Sequence, residues 1–353
     1  MANSSPFLET QSKLWKTNQN NIWLASTISL FRNIDKFNFP SKLDLEKRKQ
    51  IVSFLSKSLL SEKFLVNPIL LKAEELSPLE KGFLSEHYLS KNNFNQAHTG
   101  EGFVLDDTGQ FLASINLEDH LQLRWIELEG NIEFAWNKLV KLETQIGKKF
   151  GFAFSPRFGF LTSDFQQCGT GLKISIYLQL PALIHTGKIE DILDKNDDEA
   201  IWITGIHGDP TEIIGDILVI QNNYVLGVTE ENIIASLQSY ATKLIMEENS
   251  ARKELKETQN TTIKDMVSRA YGILVHSYNI EAVESLNALS LIKLGLEMNW
   301  IQGISSEQLN QLFFDCQRSH LILNDNNKVV QEDIIHKRAE YIHQQLKEAK
   351  LVV

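Results

Sequence analysis

The sequence predicts a body of mixed helices and strands followed by an all-helical tail. Apolar runs bounded by turn residues recur from residue 22 to about residue 224, which is typical of strands. Apolar residues at helical spacing separate several of these runs. Glycine is absent from Glu230 to Glu257, and helical periodicity dominates the rest of the chain. This segregation of strands and tail helices predicts the α+β fold class.

The first elements follow a polar lead-in of about twenty residues, which we interpret as loose or as a short helix. The run at 22–33 predicts a strand, and Pro40 ends the extended stretch. Amphipathic helices are predicted at 44–60 and 78–90, because apolar residues recur there on one helical face.

A hairpin is predicted next, since Asp106-Asp107-Thr108-Gly109 supplies turn chemistry between two short apolar runs. A third strand is expected at 121–128, and a helix with a regular apolar stripe at 131–150. The remaining predicted elements are strands at 157–161, 173–180, 201–206 and 217–224, then helices at 230–257, 280–296 and 332–351. The predicted domains are a flexible lead-in at 1–21, a body at 22–245 and a helical domain at 246–353.

Composition excludes several classes of protein. The 353 residues are 42% hydrophobic and 23% charged, as in an ordinary globular protein. The net charge of −10 argues against nucleic acid or an anionic membrane as a partner. No apolar stretch reaches the ~18 residues of a membrane span. Two distant cysteines, Cys168 and Cys316, indicate a reducing cytoplasm, and nine histidines without ligand spacing predict no metal site.

Three short motifs are candidates for function. Asn116–His120 places acidic residues and an imidazole at a strand end, where a carboxylate can accept a proton or hold a cation. Cys168–Gly171 lets backbone amides approach a phosphate, although it lacks the lysine of a P-loop. Gly205–Pro210 is a glycine-containing loop that carries Asp209. Taken singly, each is also explained as a solvated strand end, a turn or a plain connection.

Taken in order, the motifs resemble the phosphagen kinase family, most closely its bacterial protein-arginine kinase branch. The family's S-x-R-x-R-L-x-R-N is similar to STISLFRN at 26–33, and its N-E-E-D-H is similar to NLEDH at 116–120. Its G-[YF]-L-T-S-C-P-[ST]-N-x-G-T-G-L-R resembles GFLTSDFQQCGTGLK at 159–173. The segments PAL at 181–183 and RAYGIL at 269–274 resemble the bacterial branch.

The resemblance implies an antiparallel sheet, flanked by helices, that cradles Mg-ATP beside a guanidino group, followed by a helical domain. In the family, five arginines clamp the nucleotide phosphates. Their positions correspond here to a single cation, Lys173, and four neutral residues: Thr27, Ser29, Gln122 and Thr204. Since phosphoryl transfer depends on charge neutralisation, this departure predicts weak nucleotide binding.

The positions that hold the guanidinium in the family are better retained. Glu118 matches the orienting glutamate, and Asp209 corresponds to a second glutamate, shortened by one methylene. The family's cysteine is replaced by Asp164, while Cys168 lies elsewhere in the loop. We interpret the chain as a pseudokinase that acts by binding partners. An active kinase with relocated cations, such as Arg124 or Lys36, and a non-catalytic arginine or peptide binder are the alternatives.

The tail also departs from the family. An R-D-x-R-R segment that forms an accessory phosphoarginine site in active relatives corresponds here to 334–338, where Lys337 and Arg338 are expected to be solvated helix charges. By resemblance, the expected partners are a small zinc-binding activator protein, a Clp ATPase and a second copy of the chain. No firm cofactor follows from the sequence, with Mg-ATP expected only if the chain is an active kinase.

Overall fold

The computed structural model describes residues 14–18, 20–90, 94–194, 198–324 and 333–352. Its strands, numbered along the chain, are β1 (Trp23–Arg32), β2 (Ile69–Lys72), β3 (Gly102–Leu105), β4 (Phe111–Ile115), β5 (Leu121–Glu127), β6 (Phe154–Ser155), β7 (Gly159–Phe160), β8 (Leu172–Gln179), β9 (Ile201–Gly205), β10 (Ile217–Asn222), β11 (Ile301–Gln302) and β12 (Lys350–Leu351). The strand predicted at 157–161 is reduced to β7, which pairs with β6 in a short hairpin.

Eight strands form one antiparallel sheet in the order β2-β3-β4-β5-β1-β8-β10-β9. β1 lies at the centre and pairs with β5 on one side and β8 on the other. In this register Ser29 lies opposite Arg124 on β5 and opposite Lys173 on β8. Because side chains alternate between faces, these three residues project from the same face of the sheet.

The helices are α1 (Leu45–Leu60), α2 (Pro78–His87), α3 (Ile132–Phe150), α4 (Pro181–His185), α5 (Ile189–Asp194), α6 (Glu230–Thr258), α7 (Thr261–His276), α8 (Ala282–Glu297), α9 (Ser306–Asp315), α10 (Arg318–Asn324) and α11 (Ile334–Gln345). Side-chain caps define several of their starts. Asp44 accepts a hydrogen bond from the amide of Lys47 at the start of α1, and Ser77 forms a capping box with Glu80 at the start of α2.

Helices cover both faces of the sheet. On one face, Ile28, Leu123 and Ile174 belong to a continuous apolar core that includes residues of α1, α3 and α6. On the other face, a second cluster joins strand residues to α2, α9 and the first described turn of the chain. This double coverage explains why β1 is buried along its whole length, and it leaves a polar gap in the middle of the second face.

The helical tail packs on the body through buried polar groups. Lys293 of α8 donates to the side-chain oxygens of Gln179 on β8 (3.0 Å) and Asn310 on α9 (2.6 Å). Glu248 of α6 accepts from the backbone amides of Ala182 and Leu183. We call Lys293, Glu248 and their partners the junction network. The predicted domain boundary at 245/246 lies within the continuous helix α6.

Two further expectations can be compared with the structure. Within the predicted flexible lead-in, Trp15 is fully buried and stacks on Phe314 of α9, whereas residues 1–13 lie outside the described residues. Arg338 is not a solvated helix charge: it is buried and donates to the carbonyl oxygens of Cys316 and Ile280. No helix among the described residues is long and apolar enough to cross a membrane.

Candidate functional site

A cavity of about 240 Å³ opens in the polar gap of the sheet, between β1, β5 and β8. Its floor is formed by side chains of those strands, and its rim by two loops. The lining residues are Thr27, Ser29, Phe31, Leu89, Glu118, Asp119, Arg124, Asp164, Gln167, Lys173, Ser175 and Tyr177. The structure thus brings together two of the predicted neutral clamp positions, Thr27 and Ser29, with Lys173 and Glu118.

The floor of the cavity carries two cations beside Ser29. Arg124 is 8% exposed; its Nε donates to the hydroxyl of Ser29 (3.1 Å) and its Nη1 to the carbonyl oxygen of Tyr88 (3.1 Å). Lys173 approaches from the opposite neighbouring strand. Ser29 is therefore a neutral residue held between two positively charged neighbours, and Arg124 places a guanidinium next to a position where the family has one.

The rim is fixed by hydrogen bonds between the 116–120 loop and the end of β1. Asn33 receives a hydrogen bond from the amide of His120 (2.9 Å) and donates its own amide to Asp119. Asp119 also accepts from the amide of Ser163 (2.7 Å), whose hydroxyl donates to the carbonyl oxygen of Glu118 (2.6 Å). This double attachment holds the Glu118 carboxylate at the mouth of the cavity.

His120 is a structural residue of this loop. Its Nδ1 accepts from the amide of Ile34 (3.0 Å), so the proton lies on Nε2, which donates to the carbonyl oxygen of Asn38 (2.9 Å). Burial lowers the pKa of His120 to about 4. The imidazole is therefore neutral at physiological pH and orients the loop without charging the cavity.

Electrostatics differ between the rim and the floor. Partial burial, and then the neighbouring Asp119 carboxylate, raise the pKa of Glu118, while Lys173 and Arg124 oppose this shift. Burial, and then repulsion by Arg124, lower the pKa of Lys173, against the attraction of Glu118 and Asp164. Asp164 is exposed at the rim and accepts from the amide of Gln166 (3.0 Å).

Three residues predicted for the site lie outside the cavity. Gln122 accepts from the hydroxyl of Ser114 (3.2 Å), and Thr204 accepts from the side-chain amide of Gln221 (3.5 Å); both are buried in the sheet. Asp209 is exposed in the loop after β9, where its carboxylate accepts from the amide and hydroxyl of Thr211. The roles assigned to these three residues by resemblance stay predictions.

Sequence reasoning gave too little weight to Arg124 and did not identify Tyr177. Arg124 lies two positions after Gln122 and so projects from the same face of β5. The alternation of side chains along β5 is enough to predict that Arg124 shares a face with Gln122. Its hydrogen bond to Ser29 depends in addition on the register between β5 and β1. Lys36, the other cation considered, is exposed and does not line the cavity. Cys168 contacts Thr162 rather than the cavity (3.4 Å between Sγ and Oγ1).

No group of three or more His, Cys, Asp or Glu side chains is arranged to hold a metal ion in the part of the chain that the structure describes. The cavity also fits a nucleotide triphosphate poorly. Three carboxylates line it against two cations, which leaves one uncompensated negative charge. Its volume of about 240 Å³ lies below the ~300–1,000 Å³ of typical small-molecule sites.

Comparison with known families places these features in context. Residues 48–251 match the model of the ATP:guanido phosphotransferase C-terminal catalytic domain. Residues 260–351 match the model of the protein-arginine kinase McsB C-terminal domain. The two matches together span the helical tail and every strand of the sheet except β1, so they include the part of the cavity that lies on β5, β8 and the loops but not the part on β1.

Individual relatives agree with both matches. The chain is 34% identical to a protein-arginine kinase of Chlamydia pneumoniae, over 95% of each chain. It is 31% identical to a protein-arginine kinase of Halothermothrix orenii, over 93% of this chain and 94% of the relative. Among solved structures, lombricine kinase is similar in fold, with a TM-score of 0.56 at 22% identity over 68% of this chain and 70% of that one. A duplicated taurocyamine kinase of Schistosoma mansoni gives a TM-score of 0.58 at 23% identity, over 74% of this chain and 39% of that one.

Proposed function

The chain belongs to the phosphagen (ATP:guanido) kinase family, in its bacterial protein-arginine kinase branch, and from this premise we propose that it is a pseudokinase. In this proposal the fold and the guanidinium-holding rim are retained, the clamp for ATP phosphates is lost, and the protein acts by binding partners. The observation that carries the proposal is the charge of the cavity, where three carboxylates oppose only Arg124 and Lys173.

The charge balance is decisive because phosphoryl transfer is catalysed mainly by positioning and charge neutralisation. Removing a single preorganised donor at a transition state costs about 3–4 kcal/mol, or roughly a thousandfold in rate. Arginine also offers a planar pair of donors that neither Thr27 nor Ser29 replaces. A triphosphate in this cavity meets few donors and a repulsive rim.

The neutral residues at the clamp positions form hydrogen bonds with other residues of the sheet, which also supports the proposal. Gln122 and Thr204 hydrogen-bond to neighbouring strands. Ser29 accepts from Arg124. The oxygen atoms of these three side chains thus accept hydrogen bonds within the sheet.

An active kinase is the second candidate, and the position of Arg124 favours it. Its guanidinium lies on the strand next to Ser29, which occupies a position where the family has an arginine. Arg124 and Lys173 both lie opposite Ser29, on the two strands that flank β1. In that case Arg124 and Lys173 would serve together as the remaining cations for a phosphate group. This candidate predicts slow but measurable phosphorylation of arginine side chains.

Calorimetric titration with Mg·ATP, together with mass spectrometry of an unfolded protein after incubation, tests the proposal. We expect no saturable nucleotide binding and no phosphoarginine. Phosphoarginine formation that is abolished by Glu118→Gln would overturn the pseudokinase proposal and establish the active kinase. The matched control is Glu129→Gln, which removes an exposed carboxylate that does not line the cavity.

The expected partners are part of the same proposal. On the basis of family resemblance we propose self-association and binding to a zinc-containing activator protein and a Clp ATPase in the cytoplasm. Sedimentation analysis of the purified chain, and co-purification with each partner, test these expectations separately.

A further inference from the structure

Helices α7 and α8 of the tail leave an open groove of about 690 Å³ between them. The two helices pack on one another and are joined by the short connection at 277–281. Six of the side chains that line the groove are apolar: Met266, Ala270 and Ile273 from α7, and Val283, Ala288 and Leu291 from α8. Val283 is 40% exposed, and Met266 and Leu291 are only half-buried. An apolar surface that stays in contact with water in this way indicates a docking site.

The groove has the length and the packing surface that suit a short helix. Met266, Ala270 and Ile273 follow the i, i+4, i+7 spacing of one helical face, and at 1.5 Å per residue this strip is about 10 Å long. Ala270 and Ala288 are buried at the floor, where their small side chains let a third helix approach to the usual ~8–10 Å between axes. Because both walls are helices, an extended strand has no sheet edge to pair with. The occupant that fits is a helix that presents about two turns to the groove.

The polar rim of the groove is acidic. Arg269 is paired with Asp265, one turn earlier on the same helix (2.7 Å). Glu281 and Glu284 line the groove at the start of α8, and neither forms an ion pair within 4 Å in the part of the chain that the structure describes. Glu284 accepts a hydrogen bond from the amide of Glu281 (3.4 Å), which caps the helix without neutralising the carboxylate. Both negative charges are therefore available to a partner.

We propose that this groove binds a short amphipathic helix of a partner protein, with apolar residues on one face and lysine or arginine beside them. The apolar face packs on the strips of α7 and α8, and the basic residues pair with Glu281 and Glu284. Charge favours such a partner over a second copy, because this chain carries a net charge of −10. The inference rests on the partner-binding part of the proposed function and gives it a place in the tail, apart from the cavity in the sheet.

Fluorescence anisotropy with the full chain tests the proposal. The probes are three labelled peptides of about fourteen residues, or roughly four helical turns. The first has leucine on one helical face and lysine on the other, the second has glutamate in place of lysine, and the third has the composition of the first in scrambled order. We expect saturable binding of the first peptide that is at least about tenfold tighter than binding of either other peptide.

Variants at the groove separate the apolar contribution from that of charge. Val283→Ser removes an exposed apolar side chain and is expected to weaken binding of the lysine peptide about fivefold or more. Glu284→Gln removes one rim charge while keeping a side chain that can cap the helix, and a similar loss of about fivefold is expected. The matched controls are Met246→Ser and Glu247→Gln, which change exposed residues of α6 outside the groove. Circular dichroism establishes that each variant is folded.

The outcomes separate this inference from the alternatives and from loss of kinase activity. Equal binding of the scrambled or the glutamate peptide overturns it, since the groove then recognises neither a helical face nor its charge. Binding that is insensitive to both Val283→Ser and Glu284→Gln also overturns it. Sedimentation of the chain alone tests a second copy: a dimer that Val283→Ser dissociates would make the groove an interface between copies instead. Each of these results leaves the pseudokinase proposal standing, which only phosphoarginine formation from Mg·ATP overturns.

Discussion

Two lysines, Lys173 and Lys293, have opposite surroundings. Lys293 is buried in the junction network, and its amine donates to Gln179, Asn310 and the carbonyl oxygen of Asn20. Burial, and then repulsion by Arg252, lower its pKa to about 7. Lys173 lines the cavity and forms no such bonds among the described residues. A buried amine with every proton donated stabilises a fold, whereas an unpaired one is available to a ligand.

Two glutamates, Glu248 of the junction network and Glu118 of the cavity, differ in the same way: among the described residues, the carboxylate of the first has hydrogen-bond partners and that of the second does not. Glu248 accepts from two backbone amides and from Arg252 Nε (2.6 Å), and Nη1 of the same arginine pairs with Glu297. Glu118 holds its position through its backbone carbonyl, and its carboxylate stays open to the cavity. The charged groups of the junction network are paired and those of Lys173 and Glu118 in the cavity are open in the described part of the chain, so we expect substitutions in the junction network to change stability more than substitutions in the cavity.

The largest expected effect is that of Glu248→Ala. It leaves two buried amides and part of Arg252 without acceptors, so we expect a loss of about 3–4 kcal/mol in the free energy of unfolding. Urea denaturation monitored by circular dichroism measures this loss. The control is Glu247→Ala, an exposed neighbour on the same helix. Equal stability of the two variants would show that the junction network does not stabilise the fold.

Acid should destabilise the contact between the first described turn of the chain and the body. His87 of α2 accepts from Trp15 at Nδ1 and donates to Gly109 at Nε2, and burial lowers its pKa to about 4. Because the unfolded state takes up a proton near pH 6.5 and the folded state does not, stability is fully present above about pH 6.5 and falls as the pH drops toward 4.

At about 1.4 kcal/mol per pKa unit, the contribution of His87 to this loss approaches about 3 kcal/mol. Urea denaturation as a function of pH measures it. The variant His87→Gln should reduce the pH dependence and leave the part that His120 contributes in the same pH range. A pH dependence that is the same in His87→Gln and the unsubstituted protein would contradict a neutral buried imidazole.

Lys293→Met is expected to cost about 2 kcal/mol, because the side-chain oxygens of Gln179 and Asn310 lose their donor. Thermal and urea unfolding measure the change. Ligand binding to the cavity should be unaffected, since Lys293 does not line it. A variant as stable as the original protein would mean that the buried amine contributes nothing net to folding.

The smallest expected effect on stability is that of Lys173→Met. This lysine has no partner to lose in the described structure and pays a cost for partial burial beside Arg124. We therefore expect a change below about 1 kcal/mol, of either sign. The same denaturation assay measures it beside Lys293→Met. A loss as large as that of Lys293→Met would show that Lys173 makes stabilising contacts in the folded protein.

Most elements of the sheet could be predicted from local patterns. The strands β1, β3, β4, β5, β8, β9 and β10 lie where apolar runs and turn residues indicate them. β2 was not predicted, because its four residues carry a weak apolar signal and gain their order by pairing with β3. The burial of Arg338 was also missed, since its partners are carbonyl oxygens at residues 280 and 316, far away in the sequence.

The site was predicted in part for a comparable reason. The order of the motifs along the chain predicted four residues of the site that do line the cavity: Glu118, Lys173, Thr27 and Ser29. It also grouped Gln122, Thr204 and Asp209 with them, and these lie apart in the structure. Correspondence to a motif fixes a position along a strand or loop, but the strand register and the loop conformation decide which side chains reach a common space.

The sequence by itself determined the family and the antiparallel sheet with its helical tail, and it predicts neutral residues at four positions that correspond to clamp arginines, because these follow from residue identities in order. Only the tertiary structure decided that Arg124 lies beside Ser29, that Lys293 is fully paired and that Lys173 is not. Burial, hydrogen bonding and net charge of a cavity are sums over residues that are distant in the chain, and folding alone brings those residues together.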